Sequence, residues 1–148
     1  MTRAEHAASL FHDGYNCAQA VSIAFADLLG MEQAQCAKAV SGFGGGFGRM
    51  REVCGAVCGM TFVLSSLYGY ESPNPEQQMA TYAMIQTQAA AFRAQTGSII
   101  CRELLQNPPS NPAPTPRTAE YYAKRPCAQM VYLAAEVVEN YIAAHPLT

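Results

Sequence analysis

Apolar residues return every three or four positions along most of the chain, the period of a helix with one buried face. Ala4, Ala7, Ala8, Leu10 and Phe11 form such a face and predict a helix over 2–13 that Gly14 ends. Asn16 is a good N-cap for a second helix to Leu29, with Ala20, Val21, Ala24 and Leu28 on one side and Gly30 as its stop. A short third helix is predicted over 32–40, ahead of a glycine-dense loop, Gly42-Phe43-Gly44-Gly45-Gly46-Phe47-Gly48. From about Arg51 to Tyr68 the sequence is apolar nearly all round, as a buried helix is. Pro75 suits the first position of a long helix to Thr96, stopped by Gly97, and Ser98 is placed to cap a short one through Leu105. Residues 107–116 hold five prolines and predict an exposed linker or a strap across the surface. The helical pattern resumes at Thr118, and Pro126 either kinks it or starts a fresh helix to about Ala144. No strand pattern and no internal repeat is present. The expected fold is all-α: a compact multi-helix bundle whose buried central helix follows a Gly-rich loop, in a single helical domain over 1–148.

Half of the 148 residues are apolar and 14% are charged, which sets disorder aside. Nine basic and eleven acidic residues give a net charge of −2 with no basic stripe, so nucleic acid is not an expected partner. The opening Met1-Thr2-Arg3-Ala4-Glu5-His6 lacks the pattern of a secretory signal, and a cytoplasmic location is expected. Val53 to Tyr70 is free of charge and carries Gly55 and Gly59 in a G-x-x-x-G pair, a pattern of membrane helix dimers. Its further Gly69, Ser65 and Ser66, and its marginal length, favour a core helix over a membrane span. The same glycine pair implies close helix packing, within the subunit or across a homodimer.

Six cysteines remain: Cys17, Cys36, Cys54, Cys58, Cys101 and Cys127. A reducing cytosol disfavours structural disulfides, leaving metal binding, redox chemistry or simple burial. Cys17 follows the cap Asn16, Cys54 falls in the opening turn of the buried helix, Cys101 at N3 after Ser98, and Cys127 at N2 if Pro126 is N1. A helix start presents free N–H groups and a partial positive charge, which lower a thiol's pKa and raise its thiolate fraction. The thiolate is both the nucleophile of disulfide exchange and the metal ligand. Cys36 and Cys58 sit inside helices and suit core packing, although Cys58, one turn after Cys54, is also placed to add a second ligand or a resolving thiol. No C-x-x-C occurs, and His6, His12 and His145 near the chain ends read as surface residues.

Three uses of the glycine loop stay open. Gly45, Gly46 and Gly48 with Arg49 and Arg51 are candidates for holding a phosphate-bearing group, although neither G-x-G-x-x-G nor a P-loop is present. The loop also suits a tight backbone path into a buried helix, or an opening through which a substrate or partner reaches Cys54. Arg49 is placed to stabilise a thiolate, and Glu52 to help a helix start.

Three segments together resemble a known family: Asn16-Cys17-Ala18-Gln19-Ala20-Val21, Gly44-Gly45-Gly46-Phe47-Gly48-Arg49, and Cys54-Gly55-Ala56-Val57-Cys58-Gly59, followed by Cys101 and Cys127. They are similar to the C_GCAxxG_C_C redox-active proteins, small bacterial and archaeal proteins with four cysteines and a Cys-Gly-Ala-x-x-Gly element, over Phe11 to Ala135. The resemblance implies Cys17, Cys54, Cys101 and Cys127 as the functional set, and Cys58 as a free position of the motif. The expected function is redox chemistry by clustered cysteines, as a dithiol/disulfide couple or with an iron–sulfur cluster or other thiolate-bound metal, with a redox protein as candidate partner. Whether this makes an oxidoreductase is left open. The alternative is a non-enzymatic metal-binding or sensing module, or a helical partner subunit with structural thiols.

Overall fold

A computed structural model describes all 148 residues as nine α-helices with no strands. They are α1 (Arg3–His12), α2 (Cys17–Ile23), α3 (Ala26–Leu29), α4 (Gln33–Ala39), α5 (Gly55–Tyr68), α6 (Pro75–Thr96), α7 (Cys101–Leu104), α8 (Ala119–Lys124) and α9 (Cys127–Ala144), with a 3₁₀ turn at Ser41–Phe43. Local chemistry sets the boundaries. Thr2 with Glu5, and Asn16 with Gln19, form reciprocal capping boxes at the starts of α1 and α2. Asn74 caps α6, whose first residue is Pro75, and Gly97 ends it at φ 92°. Pro126 begins a fresh helix rather than kinking a longer one.

α5 is the centre. It packs against α2, α6 and α9, and α1 closes the bundle over α2 and α9. Phe11, Phe25, Met60, Leu64, Phe92, Val131 and Val138 are fully buried in one continuous core. Gly55 and Gly59 allow the α2–α5 crossing: a Cβ on Gly59 would stand 2.7 Å from the Ala18 carbonyl oxygen, and one on Gly55 3.2 Å from Cys17 Cβ. The G-x-x-x-G pair therefore serves packing within the chain. No helix is long and apolar enough to cross a membrane.

Three expectations are corrected. The helix expected from Asn16 to Leu29 breaks at Ala24–Phe25, where the Arg3 Nη1 donates to the Ala24 carbonyl at 2.7 Å and the guanidinium lies 5.3 Å from the Phe25 ring centre. The buried helix starts at Gly55, not Arg51: Arg49 and Arg51 have φ of 61° and 62°, which no helix tolerates, so Cys54 is an N-cap. The helix expected from Ser98 shrinks to α7, because 51–54 and 99–102 pair instead. Cys54 N–H donates to Ile99 O at 2.7 Å and Cys101 N–H to Glu52 O at 2.6 Å, around a single bridge between Val53 and Ile100.

Candidate functional site

Four helix starts meet at one end of the bundle. Cys17 is the first residue of α2, Cys101 of α7 and Cys127 of α9, while Cys54 caps α5. All four line a single cavity of about 440 Å³, although they come from stretches far apart in sequence. The capping box at Asn16 places Cys17, the bridge at Val53–Ile100 sets Cys101 beside Cys54, and the turn at Pro126 delivers Cys127. Cys54, Cys101 and Cys127 are buried and Cys17 is half-buried.

The glycine loop forms another wall. Gly45, Gly46 and Gly48 have φ of 66°, 75° and 61°, the left-handed region in which a side chain is strained. A Cβ on Gly46 would also lie 2.5 Å from Cys101 Cβ, so glycine lets the loop press against that cysteine. Asn16, besides capping α2, donates from Nδ2 to Ser41 O at 3.1 Å and ties the loop's base to the helix that carries Cys17.

The model for proteins described as "Putative redox-active protein (C_GCAxxG_C_C)" matches residues 15–141. The chain belongs to the C_GCAxxG_C_C family. No curated protein and no solved structure matches it. The membership places the chain in a family described as redox-active, and the C_GCAxxG_C_C cysteines of this chain are the four that line the cavity.

Those surroundings treat the four thiols differently. Burial pushes Cys54 up to about 12, outweighing the N–H groups of Val57 and Ala56 at the start of α5. Burial also raises Cys101, against the pull of Arg51, whose Nη1 lies 3.7 Å from its Sγ. Cys17 and Cys127 are linked through their ionisation. Donation from the Cys17 thiol lowers Cys127 to about 7, with help from the charges of Arg125, Arg51 and Arg117, and the same bond holds Cys17 well above its ordinary value. The expectation that each helix start lowers its thiol's pKa is thus corrected: desolvation wins at Cys54 and Cys101, and a neighbouring thiol decides the other two.

The remaining candidates divide. Arg49 lines the cavity with Gly45, Gly46 and Gly48. Cys58 does not; it is half-buried, with its thiol 3.7 Å from the Val53 carbonyl and its pKa raised by burial to about 11. Cys36 is fully buried in the core, and His6, His12 and His145 are exposed. No three of the His, Cys, Asp and Glu side chains are grouped so as to hold a metal ion.

Three cavity residues carried no signal that singled them out in the sequence: Arg117, Tyr121 and Arg125. The Arg117 guanidinium lies 4.2 Å from the Phe11 ring centre and donates to the Phe11 and Tyr15 carbonyls. Arg125 lies 5.2 Å from the centre of the Tyr121 ring, and burial pushes the Tyr121 hydroxyl up to about 12. The run Arg125-Pro126-Cys127, a cation two residues before a helix-start thiol, was the available clue.

Proposed function

We propose that this protein is a dithiol/disulfide redox protein in which Cys127 is the attacking thiolate and Cys17 the resolving thiol. One observation carries the reading: Cys17 and Cys127 are the first residues of two packed helices and line the same cavity, where the ionisation of each thiol depends on the other. A thiol with a pKa near ambient pH combines a useful thiolate fraction with good nucleophilicity, which favours exchange. Oxidation would join the two sulfurs, releasing two electrons to the acceptor and two protons. Cys54 and Cys101, held protonated by burial, form a second, less reactive set in the same cavity. Metal ligation asks for three or four donors grouped around one ion, which these side chains do not form, whereas disulfide exchange asks for only two thiols.

The test is thiol counting with disulfide mapping on protein purified without oxygen. Mild oxidation is expected to remove two free thiols, to link Cys17 to Cys127 in peptide mass spectra, and to be reversed by dithiothreitol. Cys36 and Cys58 should stay reduced throughout. Protein that carries stoichiometric metal on these thiols, or that loses no thiols until it is denatured, would defeat the proposal.

A further inference from the structure

We propose that the dithiol exchanges electrons with a small anionic disulfide, a compound bearing carboxylate groups, held inside the cavity by Arg49, Arg51, Arg117 and Arg125. This rests on the dithiol reading above and names its substrate class.

The charge distribution points there. The chain has nine basic residues and a net charge of −2, yet four of its arginines line this one cavity and no aspartate or glutamate does. None of the four is in an ion pair; the three salt bridges of the molecule involve Arg3, Arg102 and Lys124. Arg51 is only 6% exposed. Its Nε donates to the Pro109 carbonyl at 3.0 Å, and its Nη1 faces Cys101 Sγ. Arg125 makes no side-chain hydrogen bond and rests on the ring of Tyr121. Arg51 is buried and Arg49, Arg117 and Arg125 are half-buried; like charges gathered in a partly desolvated cavity without a counter-ion favour an anion from elsewhere. A thiolate at Cys127 supplies one unit and leaves most of the positive charge unbalanced. The amide N–H groups of Gly45 and Gly46, also in the wall, donate to no acceptor in the chain.

Access decides between a small and a protein-borne disulfide. Cys54, Cys101 and Cys127 are 5–7% exposed. The Pro-rich segment covers them, contributing Pro112, Pro114 and Thr115 to the wall. Arg49 fastens that segment through the Asn111 carbonyl and through Thr115 Oγ1 at 2.7 Å. A disulfide on a folded protein is poorly suited to reach thiols covered in this way, although Cys17 is half-buried, whereas a cavity of about 440 Å³ has the size of a small-molecule site.

The chemistry balances. Cys127 thiolate attacks one sulfur of the bound disulfide; a protein–substrate S–S bond forms, and the leaving thiolate takes the proton that Cys127 had given to solvent. Cys17 then loses its proton and attacks Cys127 Sγ, forming the Cys17–Cys127 bond and expelling the second thiolate, which takes that proton. The protein is oxidised by two electrons, and the small disulfide is reduced to two thiols.

The experiment oxidises the reduced full chain with three disulfides of different charge: dithiodiglycolate, 2-hydroxyethyl disulfide and cystamine. Each rate is divided by that of the same disulfide with free 2-mercaptoethanol. The normalised rates should fall in that order, by about tenfold or more from the anionic to the cationic compound, and the spread should shrink in high salt. Arg125→Met should narrow the anionic-to-cationic ratio severalfold and Arg125→Lys should largely restore it, with folding of both checked by circular dichroism. A change in Cys127 acidity affects all three reagents alike and cancels in the ratio. Equal or reversed normalised rates overturn the anionic-substrate inference alone. Reaction with none of the three overturns the dithiol reading with it.

Discussion

A helix N-terminus offers every thiol placed there a similar partial positive charge, yet the cysteines of this cavity differ widely. Cys54 is pushed to about 12 by burial and Cys127 lowered to about 7 by the Cys17 thiol. A dipole at a helix end contributes a modest, local effect, whereas removing a thiolate from water or giving it a donor is a larger one. The sign is testable by reactivity. Below its pKa Cys127 is a thiol and inert; above it Cys127 is a thiolate, so its alkylation by iodoacetamide should rise with pH through about 7. Cys17→Ala removes the donor, moves that midpoint up toward the ordinary thiol range, and should slow alkylation at neutral pH by about tenfold. Mass spectrometry of the Cys127 peptide follows both, and an unmoved midpoint in Cys17→Ala would show that the pairing is not the cause. That these four cysteines belong together was legible in the sequence because each adjoins a local helix-start signal: Asn16, the glycine loop, Ser98 or Pro126. Which of them ionises was not, because that depends on neighbours as distant in sequence as Cys17 and Cys127.

The elements show the same division. Caps written in short-range chemistry, such as Thr2 with Glu5, Asn16 with Gln19, and Asn74-Pro75 with Gly97, place their helices as the pattern indicates. The start of α5 does not follow its pattern. Arg51 and Glu52 favour helix by propensity, but their backbone is spent on Cys101 and Arg102 of another segment, and tertiary pairing overrides the local preference. Glycine spacing carried packing information of its own. Gly59→Ala would gain helix propensity of about 1 kcal/mol, but its Cβ would meet the Ala18 carbonyl oxygen at 2.7 Å, a backbone atom that cannot swing aside. A clash with backbone belongs to the upper part of the overpacking range, about 2–3 kcal/mol, so the net effect should be a loss of stability of about 1–2 kcal/mol in urea unfolding. Gly42→Ala, where an added Cβ meets nothing within 4 Å and φ is not positive, should change stability by less than about 0.5 kcal/mol. A neutral Gly59→Ala would mean that α2 and α5 cross less tightly than described.

Across the whole molecule, the cavity lies where the starts of α2, α5, α7 and α9 converge, with the Pro-rich segment drawn over it by arginines. A bond between Cys17 and Cys127 would join α2 to α9, two helices that already pack together, and would close a loop of roughly 110 residues. A crosslink that long restricts the unfolded chain strongly, and because α2 and α9 already pack together with both cysteines lining one cavity the folded state has little to rearrange. The oxidised protein should therefore be more stable than the reduced one by about 2–5 kcal/mol. For a chain of this size that raises Tm by on the order of 10 °C. Calorimetry on the two redox states measures the difference directly. Cys127→Ser should abolish it, because its hydroxyl cannot form the bond, whereas Cys36→Ala should lower Tm in both states and leave the gap unchanged, since Cys36 is buried in the core and does not line the cavity. If the oxidised wild type melts with the reduced form, the crosslink does not join these two helices, and the electrons leave from a different pair of sulfurs.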